Sequence, residues 1–274
     1  MTAIPISWSI HVSLKDNLLP VLLTDLADSG CRRLSLDGKA MEQLLEQPEL
    51  EKHFRNHLAQ CGLELFDAHA PHRAGQNIGC DAARHAGVVA LQKQVIKLAG
   101  DLGVRTLTMH IAVPEMHRTS EQEALNRIRN GVEQALEALL PVAEQCGVVI
   151  ALENHCGKSG SCRQLCGYME KFHNSNLGIC YDAGHANIKP QTIDDDDDDL
   201  DLVLPYLVTV NVHDNDGKAD CHLLPGKGSI NWQKLLSRLD SAPRLLSRQC
   251  KVSPAEFLDD PASGMRYFYA CGLA

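Results

Sequence analysis

Short aliphatic and β-branched runs return along this chain at intervals of roughly 25 to 45 residues, each followed by a longer stretch with helical periodicity. This alternation constrains the fold more than any other feature. A strand followed by a helix pairs in parallel with the next strand, and eight such units close into a barrel. Eight runs read as strands: Ile6–Val12, Arg32–Asp37, Leu63–His69, Val104–His110, Val148–Glu153, Leu177–Asp182, Val208–His213 and Arg244–Gln249. The helices between them are expected at Asp16–Ser29, Ala40–Cys61, Asp81–Leu102, Ser120–Cys146, Ser161–Asn174, Asp196–Tyr206 and Trp232–Leu239. Three of these lead through glycine into the next strand, at Cys61-Gly62, Leu102-Gly103 and Cys146-Gly147, where a left-handed residue can end a helix. A chain of 274 residues fits one α/β (β/α)8 TIM barrel. No linker interrupts it, so residues 1–274 are expected to form a single barrel domain.

Aromatic residues are only 4% of the chain, so the core of such a barrel must be filled by aliphatic side chains. The formal charge is −9, but Asp194 to Asp199 together with Asp201 supply seven negatives, and the rest of the chain carries only −2. The acidic run reads as a solvated loop feeding the first turn of the Asp196–Tyr206 helix, where the helix dipole favours acidic side chains. Calcium loops instead space their ligands at alternate positions. The chain lacks the basic stripe that a phosphate backbone requires, which weighs against nucleic acid as a partner. No apolar run is long enough for a membrane helix, and the start has no basic n-region, so no membrane association or export is expected. Eleven cysteines without paired spacing suit reduced thiols in a cytoplasmic protein.

Residues able to bind metal fall at the C-terminal ends of the expected strands, which converge on one mouth in a barrel. Strand three ends at His69, four at His110, five at Glu153 and six at Asp182 with His185 just beyond; strand seven ends at His213, with Asp220 and His222 following. One histidine at a strand end is usually a hydrogen-bonded core residue. Several at successive ends imply a cation or substrate that organises them. Mixed carboxylate and imidazole ligands of the Glu153, Asp182 and His213 type suit one divalent ion such as manganese, magnesium, cobalt or zinc.

Four linked motifs then carry a resemblance: Ala151-Leu152-Glu153-Asn154-His155, Tyr181-Asp182-Ala183-Gly184-His185, Val212-His213-Asp214-Asn215, and Asp220-Cys221-His222 followed by Pro225-Gly226-Lys227-Gly228-Ser229-Ile230-Asn231-Trp232. In order, spacing and strand placement they resemble the xylose isomerase-like barrel superfamily of sugar and sugar-phosphate isomerases and epimerases, closely over residues 63 to 250. The resemblance implies a divalent-metal enzyme that transfers a proton next to a carbonyl through an enediolate, with a small sugar or polyol-type molecule as substrate. It implies Glu153, Asp182 and His213 as metal ligands and Glu153 also as the catalytic base. His185 resembles a substrate-contacting histidine, and His69, His110 and His222 are expected to line the same mouth. The family's fourth ligand, a glutamate after strand eight, falls on Gln249 in this reading. A glutamine can offer oxygen to a metal but cannot take a proton. One-base isomerisation or dehydration is therefore favoured over two-base epimerisation, and Gln249→Glu is expected to tighten metal binding.

Two further readings stay open. An endonuclease IV-like nuclease with three zinc ions shares this barrel, and His69, His110, Glu153, Asp182, His185, His213, Asp220 and His222 match eight of its ligand positions, while Gln249 breaks the ninth. A non-catalytic sugar-binding barrel is the other.

Overall fold

A computed structural model describes residues 4–10, 13–73, 75–114, 120–188, 200–252 and 266–268. In chain order the elements are β1 (Ile6–Ile10), α1 (Leu19–Asp28), β2 (Arg33–Leu36), α2 (Gly38–Glu46), α3 (Pro48–Cys61), β3 (Glu64–His69), α4 (Ala82–Asp101), β4 (Thr106–Met109), α5 (Glu121–Cys146) and β5 (Val149–Glu153). They continue with α6 (Cys162–Phe172), β6 (Leu177–Asp182), α7 (Ala183–Asn187), α8 (Leu200–Val203), β7 (Leu207–Val212), α9 (Trp232–Leu239) and β8 (Ser247–Cys250). All eight strands pair in parallel with their neighbours, and β8 closes on β1 through Ile6↔Arg248, Ser7↔Gln249 and Trp8↔Cys250. The expected (β/α)8 barrel is therefore present. No helix among the described residues is long and apolar enough to cross a membrane.

Most differences from the sequence reading have a visible cause. The single helix expected over Ala40–Cys61 is two, because Gln47 leaves the helical region (φ −139°, ψ 83°) ahead of Pro48. Proline lacks the N–H that would continue the helix and pushes the residue before it towards extended backbone. The three glycines expected to end helices do so with positive φ: 63° at Gly62, 81° at Gly103 and 66° at Gly147. The helix expected over Asp196–Tyr206 is confined, among the described residues, to Leu200–Val203 and a 3-10 turn at Leu204–Tyr206. Asp194 to Asp199 lie outside the described residues, while Asp201 pairs with Arg238 at 2.6 Å.

The core divides into two regions of opposite character. Leu34, Leu36, Leu107, Met109, Ile150 and Leu152 alternate outward from their strands, where they are buried with Leu23, Ile96 and Leu139 from the helices. The barrel interior is largely polar. Asp67 is fully buried there and accepts hydrogen bonds from the hydroxyls of Ser7, Thr106 and Ser247. Burial pushes its carboxyl pKa up against the opposing effect of those donors. Thr209 and Ser247 lie hydroxyl to hydroxyl at 2.8 Å and carry this network across to β7. Interior positions thus offer hydroxyls and amides where bulky aliphatics are usual in such barrels.

Candidate functional site

At the C-terminal ends of the strands, a cavity of about 660 Å³ opens. His69, from the end of β3, and His110, just after β4, each place Nε2 2.9 Å from Glu153 Oε2 at the end of β5. Asn211 of β7 donates from Nδ2 to Glu153 Oε1 and to Asp182 Oδ2, both at 3.0 Å, and so holds the two carboxylates side by side. Asp182 also caps α7 by accepting from the backbone N–H of His185 at 2.7 Å, which sets where that histidine emerges. His213 Nε2 lies 3.0 and 3.1 Å from the two oxygens of Asp182. Asp220 Oδ2 lies 3.4 Å from His185 Nε2 and 3.2 Å from His222 Nε2, and the His213 and His222 rings stack at 3.9 Å. His69, His110, Glu153, Asp182, His185, His213 and His222 all meet in this one mouth.

The ring nitrogens show what this arrangement can hold. His69 Nδ1 lies 2.7 Å from Ala70 O, His185 Nδ1 2.8 Å from Asn154 O, and His222 Nδ1 2.5 Å from Lys251 O. A carbonyl only accepts, so each Nδ1 carries the hydrogen and donates it. In the neutral ring each Nε2 is then a lone pair, and each faces a carboxylate oxygen. Two lone pairs at such distances repel unless a cation or a second proton lies between them. Imidazoles pinned in this way by a backbone carbonyl are what metal-binding histidines use. His213 adds an orphan: its Nδ1 is buried without a hydrogen bond among the described residues and lies 3.8 Å from Asp220 Oδ1. Three sets each have their ligand atoms within 4.8 Å of one another: His69, His110 and Glu153; Glu153, Asp182 and His185, which share Glu153 with the first; and His213, Asp220 and His222. The donor chemistry fits divalent cations.

Protonation follows the same geometry. Burial, helped by the charge of Lys251, holds His69 down at about 3, so that ring is neutral near pH 7. Burial opposes charging His185, but Asp182, Asp220 and Glu153 outweigh it and lift its pKa to about 11. Burial likewise works against the Glu153 carboxylate, yet the charges of His110 and Lys251 and the hydrogen bond from His110 hold it well below the carboxylate range. Glu153 is therefore ionised at neutral pH.

Gln249 does not join this group. Its Oε1 accepts from Ser35 Oγ at 2.8 Å, and its Nε2 donates to Thr209 Oγ1 at 3.0 Å and Thr108 Oγ1 at 3.3 Å, inside the barrel and below the mouth. β8 begins three residues later than the sequence suggests, at Ser247 rather than Arg244. In the resulting register Gln249 lies opposite Asn211 and Lys251 follows Cys250 at the strand's end, where its side chain lines the cavity. A carboxylate at 249 would face a site built for an amide, lose two donated bonds and bury a charge. Gln249→Glu is therefore expected to lower stability by about 2–4 kcal/mol without tightening metal binding, as thermal unfolding and metal titration would show.

Sequence reasoning also missed three residues. His72 lies near His69 and His110, with ring centroids 4.4 and 4.8 Å away, but it sits three positions beyond a strand end. Asn211 is one such residue, set within an aliphatic strand that reads as core. Asp214 follows His213 and accepts from four N–H groups: those of Asn215 (2.8 Å), Gly226 (2.8 Å) and Ile230 (3.2 Å), and Trp232 Nε1 (2.8 Å). It thereby ties down the loop bearing Asp220 and His222, including His222 itself at a left-handed φ of 51°. Asp214→Ala leaves four donors without their acceptor and is expected to cost about 3 kcal/mol, lowering the melting temperature by roughly 6–12 °C.

Comparison with known proteins follows the same lines. A family model described as xylose isomerase-like TIM barrel matches residues 25–243. An uncharacterized protein of Methanocaldococcus jannaschii is 28% identical over 152 residues, 54% of this chain and 50% of that protein. The chain spans about half the length of the curated relatives it matches. Among solved structures, a D-tagatose 3-epimerase-like protein superposes with a TM-score of 0.76 at 18% identity, covering 98% of this chain and 96% of the other. The IolI protein with a bound zinc atom superposes with a TM-score of 0.73 at 16% identity, again covering 98% and 96%. At these identities the likeness concerns the fold.

Proposed function

The chain belongs to the xylose isomerase-like TIM barrel family, and on that premise we propose that it is a divalent-metal-dependent enzyme that isomerises, epimerises or dehydrates a small sugar or polyol-type substrate. One observation carries the reading: three imidazoles whose Nδ1–H is locked to a backbone carbonyl present Nε2 to Glu153 and Asp220. Glu153, Asp182 and His213 would hold the ion, with His185 beside them. A bound divalent ion would supply Lewis acidity towards a carbonyl oxygen and its neighbouring hydroxyl.

The chain's own groups do the rest. Glu153, ionised and steered by Asn211, takes the carbon-bound proton. His110, 2.9 Å from Glu153 Oε2, and Asn211, 3.0 Å from its Oε1, fix the direction of that carboxylate. His185 and His222, pinned through Nδ1, are placed to orient substrate hydroxyls. At the end of β8 the mouth carries Lys251 rather than a carboxylate. Proton transfer by a single carboxylate, as in isomerisation or dehydration, therefore suits this site best.

Incubation of the metal-loaded protein with a panel of aldoses, ketoses, their phosphates and sugar acids in D2O tests the reading. One carbon-bound proton should exchange in a cognate substrate, as proton NMR would show. Absence of exchange across the panel, with any divalent ion, would contradict it.

The presence of three ligand sets favours one second reading, a multi-zinc phosphodiesterase of the endonuclease IV type. Zinc-dependent cleavage of a duplex carrying an abasic site, without proton exchange on any sugar, is the outcome that would select it.

A further inference from the structure

Lys251 has no counterpart in the ligand chemistry described so far. Its backbone is fixed on both sides: its N–H donates to Val212 O at 3.1 Å and its carbonyl accepts from His222 Nδ1. Its side chain lines the 660 Å³ cavity together with Ser9, Leu36, Asp37 and His72. The carboxylates around it are already engaged. Glu153 is held by His110 and Asn211; Asp182 by His213 and Asn211; Asp220 by His185 and His222; and Asp37 caps α2 through the N–H of Ala40. Among the described residues Lys251 forms no ion pair. Its charge nevertheless reaches Glu153, His69 and His72, so it acts inward across the mouth. The ends of β1 and β2 contribute the uncharged Ser9 and Leu36, with Asp37 directly after Leu36.

An ammonium cannot ligate a divalent ion, and one that lines a cavity without a direct ion pair among the described residues has donors to offer an anionic guest. We propose that Lys251 forms an oxyanion-recognition subsite, so that the substrate is a sugar carrying a phosphate or carboxylate group. This deepens the metal-dependent sugar reading and rests on it for the identity of the rest of the ligand.

Isothermal titration of the metal-loaded protein with inorganic phosphate, D-ribose 5-phosphate, D-gluconate and D-ribose tests the proposal. At least one anion should bind about tenfold or more tightly than D-ribose, and Lys251→Met should weaken it by about tenfold or more. Lys251→Arg, which keeps the charge, should stay within about threefold of the native protein. Repeating the titration after chelation separates lysine from metal, because the Lys251 dependence should persist. Whether ribose phosphate or gluconate responds identifies the anionic group. Binding of none of the anions, D-ribose binding as tightly as they do, or unchanged anion affinity in Lys251→Met would each overturn the proposal. Failure of the wider reading looks different: Lys251-dependent anion binding would remain while proton exchange in D2O is absent.

Discussion

Glu153→Gln is expected to lower turnover by about three orders of magnitude, the scale of losing a positioned general base. Glutamine keeps an oxygen where Oε1 accepts from Asn211, so the folded protein should retain most of its stability. Its amide has no basic oxygen at neutral pH. Single-turnover kinetics and solvent proton exchange should both fall, while some metal remains bound. Unchanged exchange in this variant would mean that another group removes the proton.

Gly184→Ala is expected to disable the site from outside the ligand set. A Cβ at Gly184 would lie 2.0 Å from His213 Cε1 and 2.6 Å from its Nδ1, well inside contact distance. Gly184 sits in α7 directly after the turn capped by Asp182, so the helix cannot move away without disturbing that carboxylate. The imidazole must therefore rotate off Asp182, and metal affinity and turnover should each drop by about 10- to 100-fold. Metal titration of the variant checks this. Native affinity would show that His213 does not need its present place.

Much of this architecture was legible in the sequence because a parallel barrel repeats one physical pattern. Aliphatic residues such as Leu107 and Ile150 face helices, and strand ends converge, so His69, His110, Glu153, Asp182 and His213 could be gathered at one mouth. The eighth strand was harder to read for the same reason. Leu245 and Leu246 look like its start, yet the paired residues are Ser247 to Cys250, whose inward Ser247 and Gln249 are satisfied by neighbouring hydroxyls and Asp67. A polar barrel interior inverts the usual pattern, so the expected strand starts three residues early and ends at Gln249, whereas the observed one ends at Cys250 with Lys251 beyond it at the mouth. Asp214 was hidden differently, since its partners run from the next residue to Trp232 and only the folded loop brings them together. The break at Pro48 did carry a signal in the chain, namely the proline itself.

Metal content tests the central claim most directly. Native protein, Glu153→Ala and Asp182→Ala should be purified side by side, dialysed against a panel of divalent ions and measured by elemental analysis. The account predicts at least one equivalent of a divalent ion in the native protein, its loss in both variants, and loss of proton exchange when the ion is chelated. No bound ion in the native protein, together with proton exchange that survives chelation, would contradict it.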